Sequence, residues 1–130
     1  MKYNPEENFS LKARLRSFKY AFTGICEIVR GQHNFRIHLL AVILVVPCGF
    51  LLQVSVLEWT ILILCIGLVL SMETINSVIE KTIDLVSPGE NKMAGKIKDM
   101  AAAAVLIVAL CSALIGFIIF IPKIIDLLKY

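Results

Sequence analysis

The sequence predicts an all-α membrane protein with three transmembrane helices, preceded by an amphipathic helix at the membrane interface. Three observations predict this class. Apolar residues make up 58% of the 130 residues and charged residues only 18%, where soluble domains have about 45–50% and about 25%. Residues 37–57 and 100–122 carry no formal charge, and each run reaches the roughly 20 helical residues that span a bilayer. An amphipathic segment precedes both runs.

The composition excludes several other classes of protein. Residues 1–20 carry five basic side chains, so we expect no cleavable signal peptide there. The apolar runs are too long and too continuous for the alternating strands of a membrane β-barrel. The net charge of +3 is modest, and no basic block stands apart from the membrane flanks, so we expect no nucleic-acid partner.

Residues 9–30 form the amphipathic segment. Their apolar side chains recur at helical spacing in one stripe: Leu11, Leu15, Phe18, Phe22, Ile25 and Val29. Lys12, Arg16 and Lys19 lie off this stripe, and a helix that is apolar on one side and basic on the other suits a membrane interface. The alternative is a packing helix of a soluble domain.

The three spans are predicted at residues 37–57, 59–86 and 99–122. The middle apolar run, Trp59–Met72, is only 14 residues long and would rise about 21 Å as a helix, too little to cross. Its helix must therefore continue through Glu73 and Asn76. An ionisable residue at that depth is costly and usually functional, so Glu73 is a candidate site residue.

The distribution of Lys and Arg predicts the orientation in the membrane. Seven of the 13 precede Ile37 and four lie within residues 81–98, while residues 53–58 have none and two follow the third span. The positive-inside rule then places the N-terminus and the second loop in the cytoplasm and the C-terminus outside.

Polar residues near the end of the second span share one face of the helix. Glu73, Asn76, Glu80 and Asp84 are spaced by 3, 4 and 4 residues, with Ser77 among them. Lys98 and Asp99 follow across a short loop. Carboxylates packed together need a cation or a proton to coexist, and such oxygen ligands suit Mg²⁺ shared with phosphates. The alternative is a polar rim that only ends the span.

The loop between the second and third spans is not a P-loop. Residues 89–96 read GENKMAGK, where five residues separate the glycines and no Ser or Thr follows the lysine. Ser87, Pro88 and Gly89 instead predict a turn between two helices.

Several blocks of the sequence resemble those of a known protein family. Residues 73–84 read E-T-I-N-S-V-I-E-K-T-I-D, which resembles the signature of the prokaryotic diacylglycerol kinases, a family that includes the undecaprenol kinases. Further matching blocks, some typical of the Gram-positive type, are Lys98–Met100, Asn34–Phe35, Glu58–Trp59 and Ile121–Lys123. The resemblance covers roughly residues 14–125. It implies a homotrimer in the bacterial cytoplasmic membrane, with an active site between protomers that transfers the γ-phosphate of ATP to undecaprenol or diacylglycerol.

The resemblance also implies a role for individual residues. Glu73 is similar in position to the general base and contacts the lipid together with Ala102. Glu80 corresponds to a ligand of the metal, expected to be Mg²⁺. The implied ATP site consists of Tyr20, Asn76, Asp84, Glu90, Lys98 and Asp99.

One position departs from the family pattern. The family usually has a second metal-binding glutamate where this chain has Gln32, and a neutral amide oxygen should bind the metal less tightly. Three explanations stay open: an attenuated natural variant, an engineered inactive form, or a metal held through another group. The alternative function is therefore a catalytically attenuated trimeric membrane module. A cation pathway lined by Glu73, Asn76 and Glu80 is disfavoured, because the acids gather at one edge of the membrane.

Overall fold

The computed structural model describes residues 10–129, which form four α-helices joined by short connections. They are α1 (Leu11–Gly31), α2 (His33–Leu51), α3 (Val56–Val86) and α4 (Lys92–Leu128). The last three are long and apolar enough to cross a membrane. The all-helical class and the three candidate spans predicted from the sequence are therefore confirmed.

The helices do not coincide with the apolar runs. Helix α2 begins four residues before Ile37 and ends at Leu51, so residues 52–55, predicted inside the first span, form the turn. Helix α4 begins at Lys92 and continues through Pro122 to Leu128, beyond both ends of the predicted third span. The difference arises because a helix ends where its backbone hydrogen bonding stops, whereas an apolar run ends at the first charged residue. At about 1.5 Å per residue, α3 and α4 both exceed the roughly 30 Å hydrocarbon core.

A single residue separates the first two helices. Gln32 has extended backbone angles (φ −112°, ψ 116°), and it closes α1 through its backbone N–H to Ile28 while preceding the first residue of α2. Its side chain makes no capping hydrogen bond. The half-buried Gln32 side chain is therefore not needed to hold the two helix ends.

The turn between α2 and α3 is held by local bonds and by one close packing contact. The Ser55 hydroxyl accepts a hydrogen bond from the Glu58 backbone N–H, and the Glu58 carboxylate accepts one from the Ser55 N–H, which completes a capping box. Gly49 is buried under the Trp59 indole, which also lies 4.9 Å from the Phe50 ring, centroid to centroid. The side of Gly49 that faces Trp59 has no room for a Cβ.

Helix α3 is central: it packs chiefly against α4 and also contacts α2. Val54, Leu62 and Ile119 form a small core beside this turn, and Lys123 of α4 pairs with Glu58 of α3 at 3.1 Å. These contacts join three helices at the end of the bundle opposite Glu73. Most large apolar side chains elsewhere are exposed on the chain, as expected for surfaces that face lipid.

Candidate active site

Three polar side chains of α3 are buried where the predicted polar stripe begins. Glu73 is 2% exposed, Asn76 4% and Ser77 2%, and within residues 10–129 these are the buried polar or charged residues. A carboxylate in such a position is costly unless it is paired or serves a function. The ion pairs found within the described part of the chain do not include Glu73. Its carboxylate is therefore available for chemistry.

Asn76 and Glu80 are joined along the same helix. The Asn76 side-chain amide donates a hydrogen bond from Nδ2 to Oε1 of Glu80 over 3.1 Å. The opposite atom of the amide, Oδ1, is buried and has no partner among residues 10–129, and the same is true of Ser77 Oγ. Buried polar atoms are nearly always hydrogen-bonded, so each exception needs an explanation. Both atoms lie within one helical turn of Glu73.

An ion pair connects α3 to α4 at the same end of the bundle. Lys98 donates to Oδ1 of Asp84 across the interhelical turn. Gly89, whose φ of +158° lies in a region that L side chains rarely adopt, belongs to that turn, and Asn91 caps α4 by accepting from two backbone N–H groups. Asp84, Lys98 and Glu90 line a polar cavity of about 230 Å³ beside this turn. The predicted turn at residues 87–89 is confirmed.

The remaining predicted site residues are not joined to this group within one chain. Tyr20 is 52% exposed on α1, and Asp99 and Ala102 are exposed on α4. Gln32 lies at the junction of α1 and α2, half-buried. The structure therefore brings together Glu73, Asn76, Ser77 and Glu80 along one face, and Asp84, Lys98 and Glu90 beyond them.

The oxygen atoms at Asn76 and Glu80 fit a hard cation. No group of three or more His, Cys, Asp and Glu side chains is arranged for a metal within the described residues. Mg²⁺, however, commonly uses only one or two carboxylates and completes its coordination with water and phosphate oxygens. Glu80 supplies a carboxylate, and Asn76 Oδ1 is an uncommitted acceptor. The donor set is compatible with Mg²⁺ that is shared with a nucleotide.

An apolar groove runs through the bundle away from this end. It has a volume of about 560 Å³ and is lined by side chains of α2, α3 and α4. Val69 and Leu70, within a turn of Glu73, line one part of it, and Leu52 and Ile124 line another. The polar stripe and the groove are thus continuous along α3.

Sequence reasoning singled out the acids of α3 but missed two features. The motif S-V-L-E at Ser55–Glu58 is a capping-box signature that could have located the start of α3. The isolation of Ser77 Oγ has no sequence signal, because it depends on what the neighbouring helix offers.

A bundle of three apolar helices with buried polar side chains at one end fits a membrane enzyme that works close to the lipid–water boundary. Comparison with known proteins makes this class specific. Residues 19–120 match the family model described as prokaryotic diacylglycerol kinase. The chain belongs to this family of bacterial membrane lipid kinases, and the resemblance drawn from its motifs is confirmed.

Characterised relatives bear the same assignment. The chain is 43% identical to undecaprenol kinase of Bacillus subtilis over 108 residues, which cover 83% of this chain and 88% of that protein. It is 32% identical to diacylglycerol kinase of Synechocystis over 88% of this chain and 66% of that protein. Identity to diacylglycerol kinase of Escherichia coli K12 is 31%, over 72% and 76% of the two chains. The chain is therefore a lipid kinase of the Gram-positive undecaprenol kinase branch.

Proposed function

We propose that the chain transfers the γ-phosphate of ATP to the hydroxyl group of undecaprenol at the cytoplasmic face of the bacterial membrane. The observation that carries this proposal is the buried Glu73 carboxylate, 2% exposed, at the start of the polar stripe of α3. Diacylglycerol is the alternative acceptor. Undecaprenol is favoured because identity is 43% to the undecaprenol kinase and 32% to the Synechocystis diacylglycerol kinase.

Glu73 acts as the general base. It accepts the proton of the lipid hydroxyl as the oxygen attacks the γ-phosphorus, and ADP leaves with the pair of electrons of the broken P–O bond. Proton transfer to a positioned side chain typically contributes about 10²–10⁴-fold to a rate. The location of Glu73 supports this role. A lipid hydroxyl is confined to the membrane boundary, and a base that lies in bulk water would not reach it there.

The residues beyond Glu73 bind the nucleotide. Lys98 and Asp84 form an ion pair whose ammonium group is close to a cavity of about 230 Å³, which Glu90 also lines. We assign the phosphate groups of ATP to the part of this site that is formed by Asn76, Glu80 and Lys98. Tyr20 and Asp99 complete the nucleotide site. Both side chains are exposed on the single chain, so they contact the nucleotide only when ATP is bound beside them or when a neighbouring protomer closes the site.

Glu80, Asn76 Oδ1 and Gln32 are the proposed metal ligands. Bound Mg²⁺ would neutralise phosphate charge and orient the phosphoryl group. Glu80 is held by the Asn76 amide, which fixes one carboxylate oxygen and leaves the other free. Gln32 makes no capping bond with its side chain and is free to turn toward a ligand.

We propose that the working enzyme is a homotrimer with α1 at the membrane interface, its N-terminus inside and its C-terminus outside. The apolar stripe of α1 supports the interfacial position, since Leu11 is 74% and Phe22 67% exposed on the chain. The exposure of Ala102 supports a composite site, because that residue meets the lipid only if another protomer or the bilayer brings the lipid to α4.

A direct assay tests the proposal. Purified protein in lipid nanodiscs is incubated with Mg²⁺ and ATP labelled at the γ-phosphate, separately with undecaprenol and with dioctanoylglycerol. We expect label to enter undecaprenol faster than dioctanoylglycerol, and Glu73→Gln to slow both reactions by about 10²–10⁴-fold. Thr82→Ala is the control, because its exposed hydroxyl bonds only to its own helix.

Labelling of neither lipid by an intact oligomer would refute the proposal. It would favour the second candidate, a catalytically attenuated membrane module of the same fold, which is motivated by the amide of Gln32 where the family usually has a carboxylate.

A further inference from the structure

The Ser77 hydroxyl is buried without a partner one helical turn after Glu73. Ser77 is 2% exposed, and its Oγ has no hydrogen-bond partner among residues 10–129. Residues four apart lie on the same face of a helix, and helical side chains lean toward the N-terminus. The Ser77 hydroxyl therefore leans toward the level of the Glu73 carboxylate.

Other hydroxyls of the same helix do not remain free. Thr74 donates to the carbonyl oxygen of Leu70 over 2.8 Å, and Thr82 donates to that of Val78 over the same distance. Bonding to the carbonyl four residues earlier is the usual solution for a Ser or Thr inside a helix. Ser77 does not make the corresponding hydrogen bond to the backbone carbonyl oxygen of Glu73.

The neighbouring helix offers no alternative partner. The pairing of Asp84 with Lys98 sets the register between antiparallel α3 and α4. Ser77 lies seven residues before Asp84, and Val105 lies seven residues after Lys98, so the two are at the same level in the bundle. Val105 is buried. Between Lys98 and Val105, α4 has only Asp99, one methionine and four alanines. Asp99 is exposed and lies next to Lys98, near the other end of this interval. Residues 10–129 thus supply no hydrogen-bond partner for the Ser77 hydroxyl.

We propose that Ser77 binds the acceptor hydroxyl of the lipid alcohol and orients it for attack. This inference rests on the proposed lipid kinase function. The alcohol oxygen has one proton and two lone pairs: Glu73 accepts the proton, one lone pair attacks phosphorus, and the second accepts a hydrogen bond from Ser77. As the proton moves to Glu73, negative charge grows on the oxygen and strengthens the bond from Ser77. A donor aimed at developing charge lowers the barrier more than it stabilises the bound substrate.

The test is Ser77→Ala, assayed in nanodiscs with undecaprenol and Mg²⁺-ATP. Because the hydroxyl has no partner among residues 10–129 and alanine favours helices, we expect the variant without substrate to be at least as resistant to thermal unfolding as the wild type. We expect its kcat/KM for the lipid to fall roughly ten- to hundredfold, with the KM for ATP unchanged. Thr74→Val is the matched control, since it removes a neighbouring hydroxyl that is bonded to its own helix.

A structural role for Ser77 would give the opposite pattern. If Ser77→Ala unfolds at a lower temperature than the wild type, or if it raises the KM for ATP while kcat/KM for the lipid stays constant, the proposal is wrong. Equal losses in Ser77→Ala and Thr74→Val would also overturn it, because removal of any hydroxyl from α3 would then explain the effect.

A binding measurement separates this proposal from the kinase function. Farnesol and dioctanoylglycerol are each compared with their deoxy analogues, which lack the hydroxyl oxygen, as stabilisers of the protein against thermal unfolding. We expect the wild type to be stabilised more by an alcohol than by its deoxy analogue, and Ser77→Ala to show a smaller preference, because the lipid oxygen then has no hydroxyl donor. The result stands even if the wild type phosphorylates no lipid. The same preference in the variant, or none in the wild type, would refute the assignment.

Discussion

Adding one methyl group to Gly49 should destabilise the hairpin that joins α2 and α3. A Cβ at this position would lie 2.6 Å from Cη2 and 2.7 Å from Cζ2 of Trp59, whereas ordinary contact begins at 3.4 Å. The indole must therefore retreat by most of an ångström. It cannot do so freely, since it is packed against Phe50 at 4.9 Å and follows directly after the capping box of α3. Forced repacking of this size typically costs about 1–3 kcal/mol.

Gly67→Ala is the matched control for Gly49→Ala. Both glycines are helical, but a Cβ at Gly67 meets nothing within 4 Å. The control therefore reports the gain in helix propensity, up to about 1 kcal/mol, without the clash. We expect the free energy of unfolding of Gly49→Ala to lie about 1–3 kcal/mol below that of Gly67→Ala, measured by denaturant titration in detergent with circular dichroism.

A second substitution tests the cause. Trp59→Phe removes the two ring atoms that collide, so the double variant with Gly49→Ala should be more stable than the sum of the two single effects predicts. Because Glu73 lies 14 residues along α3 from Trp59, roughly 21 Å away, kcat of the folded fraction should not change. Equal stability of Gly49→Ala and Gly67→Ala, or strictly additive effects in the double variant, would refute the packing argument.

Four further predictions concern the site and the topology. Glu73→Gln should lower kcat by about 10²–10⁴-fold while the binding of Mg²⁺-ATP measured by calorimetry is kept, and near-normal turnover would remove Glu73 from its role. Glu80→Gln should instead weaken the binding of Mg²⁺-ATP, and unchanged affinity at limiting Mg²⁺ would exclude it as a ligand. Gln32→Glu should lower the Mg²⁺ concentration for half-maximal activity and raise kcat, because a carboxylate binds a hard cation better than an amide does; a lower unfolding temperature with unaltered Mg²⁺ dependence would argue against a ligand position. Cysteines introduced near the two ends of the chain should be labelled by an impermeant reagent only at the C-terminal end in intact cells, and labelling of the N-terminal end would contradict the orientation.

The acids of the candidate site could be found from the sequence because a regular helix fixes which residues share a face. Spacings of 3, 4 and 4 residues put Glu73, Asn76, Glu80 and Asp84 on one stripe whatever else the chain does. The structure confirms a continuous helix through all four. It adds that they divide into two sets: Asn76 bonds to Glu80 within α3, while Asp84 pairs with Lys98 on α4. Helical periodicity contains no information about which neighbour each acid meets.

The sequence by itself determined the membrane class, the number of helices and the position of the buried acid, because these depend on hydrophobic length and on a period of 3.6 residues. Where the helices end was decided by backbone bonding and by tertiary contacts. Helix α2 stops at Leu51, and Gly49 must be a glycine because Trp59 of the next helix lies against it. Ser77 shows the difference most clearly, because nothing in the sequence distinguishes it from any other serine within a helix. Only the packing of α3 against α4 leaves this hydroxyl buried and without a partner among residues 10–129, since burial depends on atoms that are distant along the chain and adjacent in space.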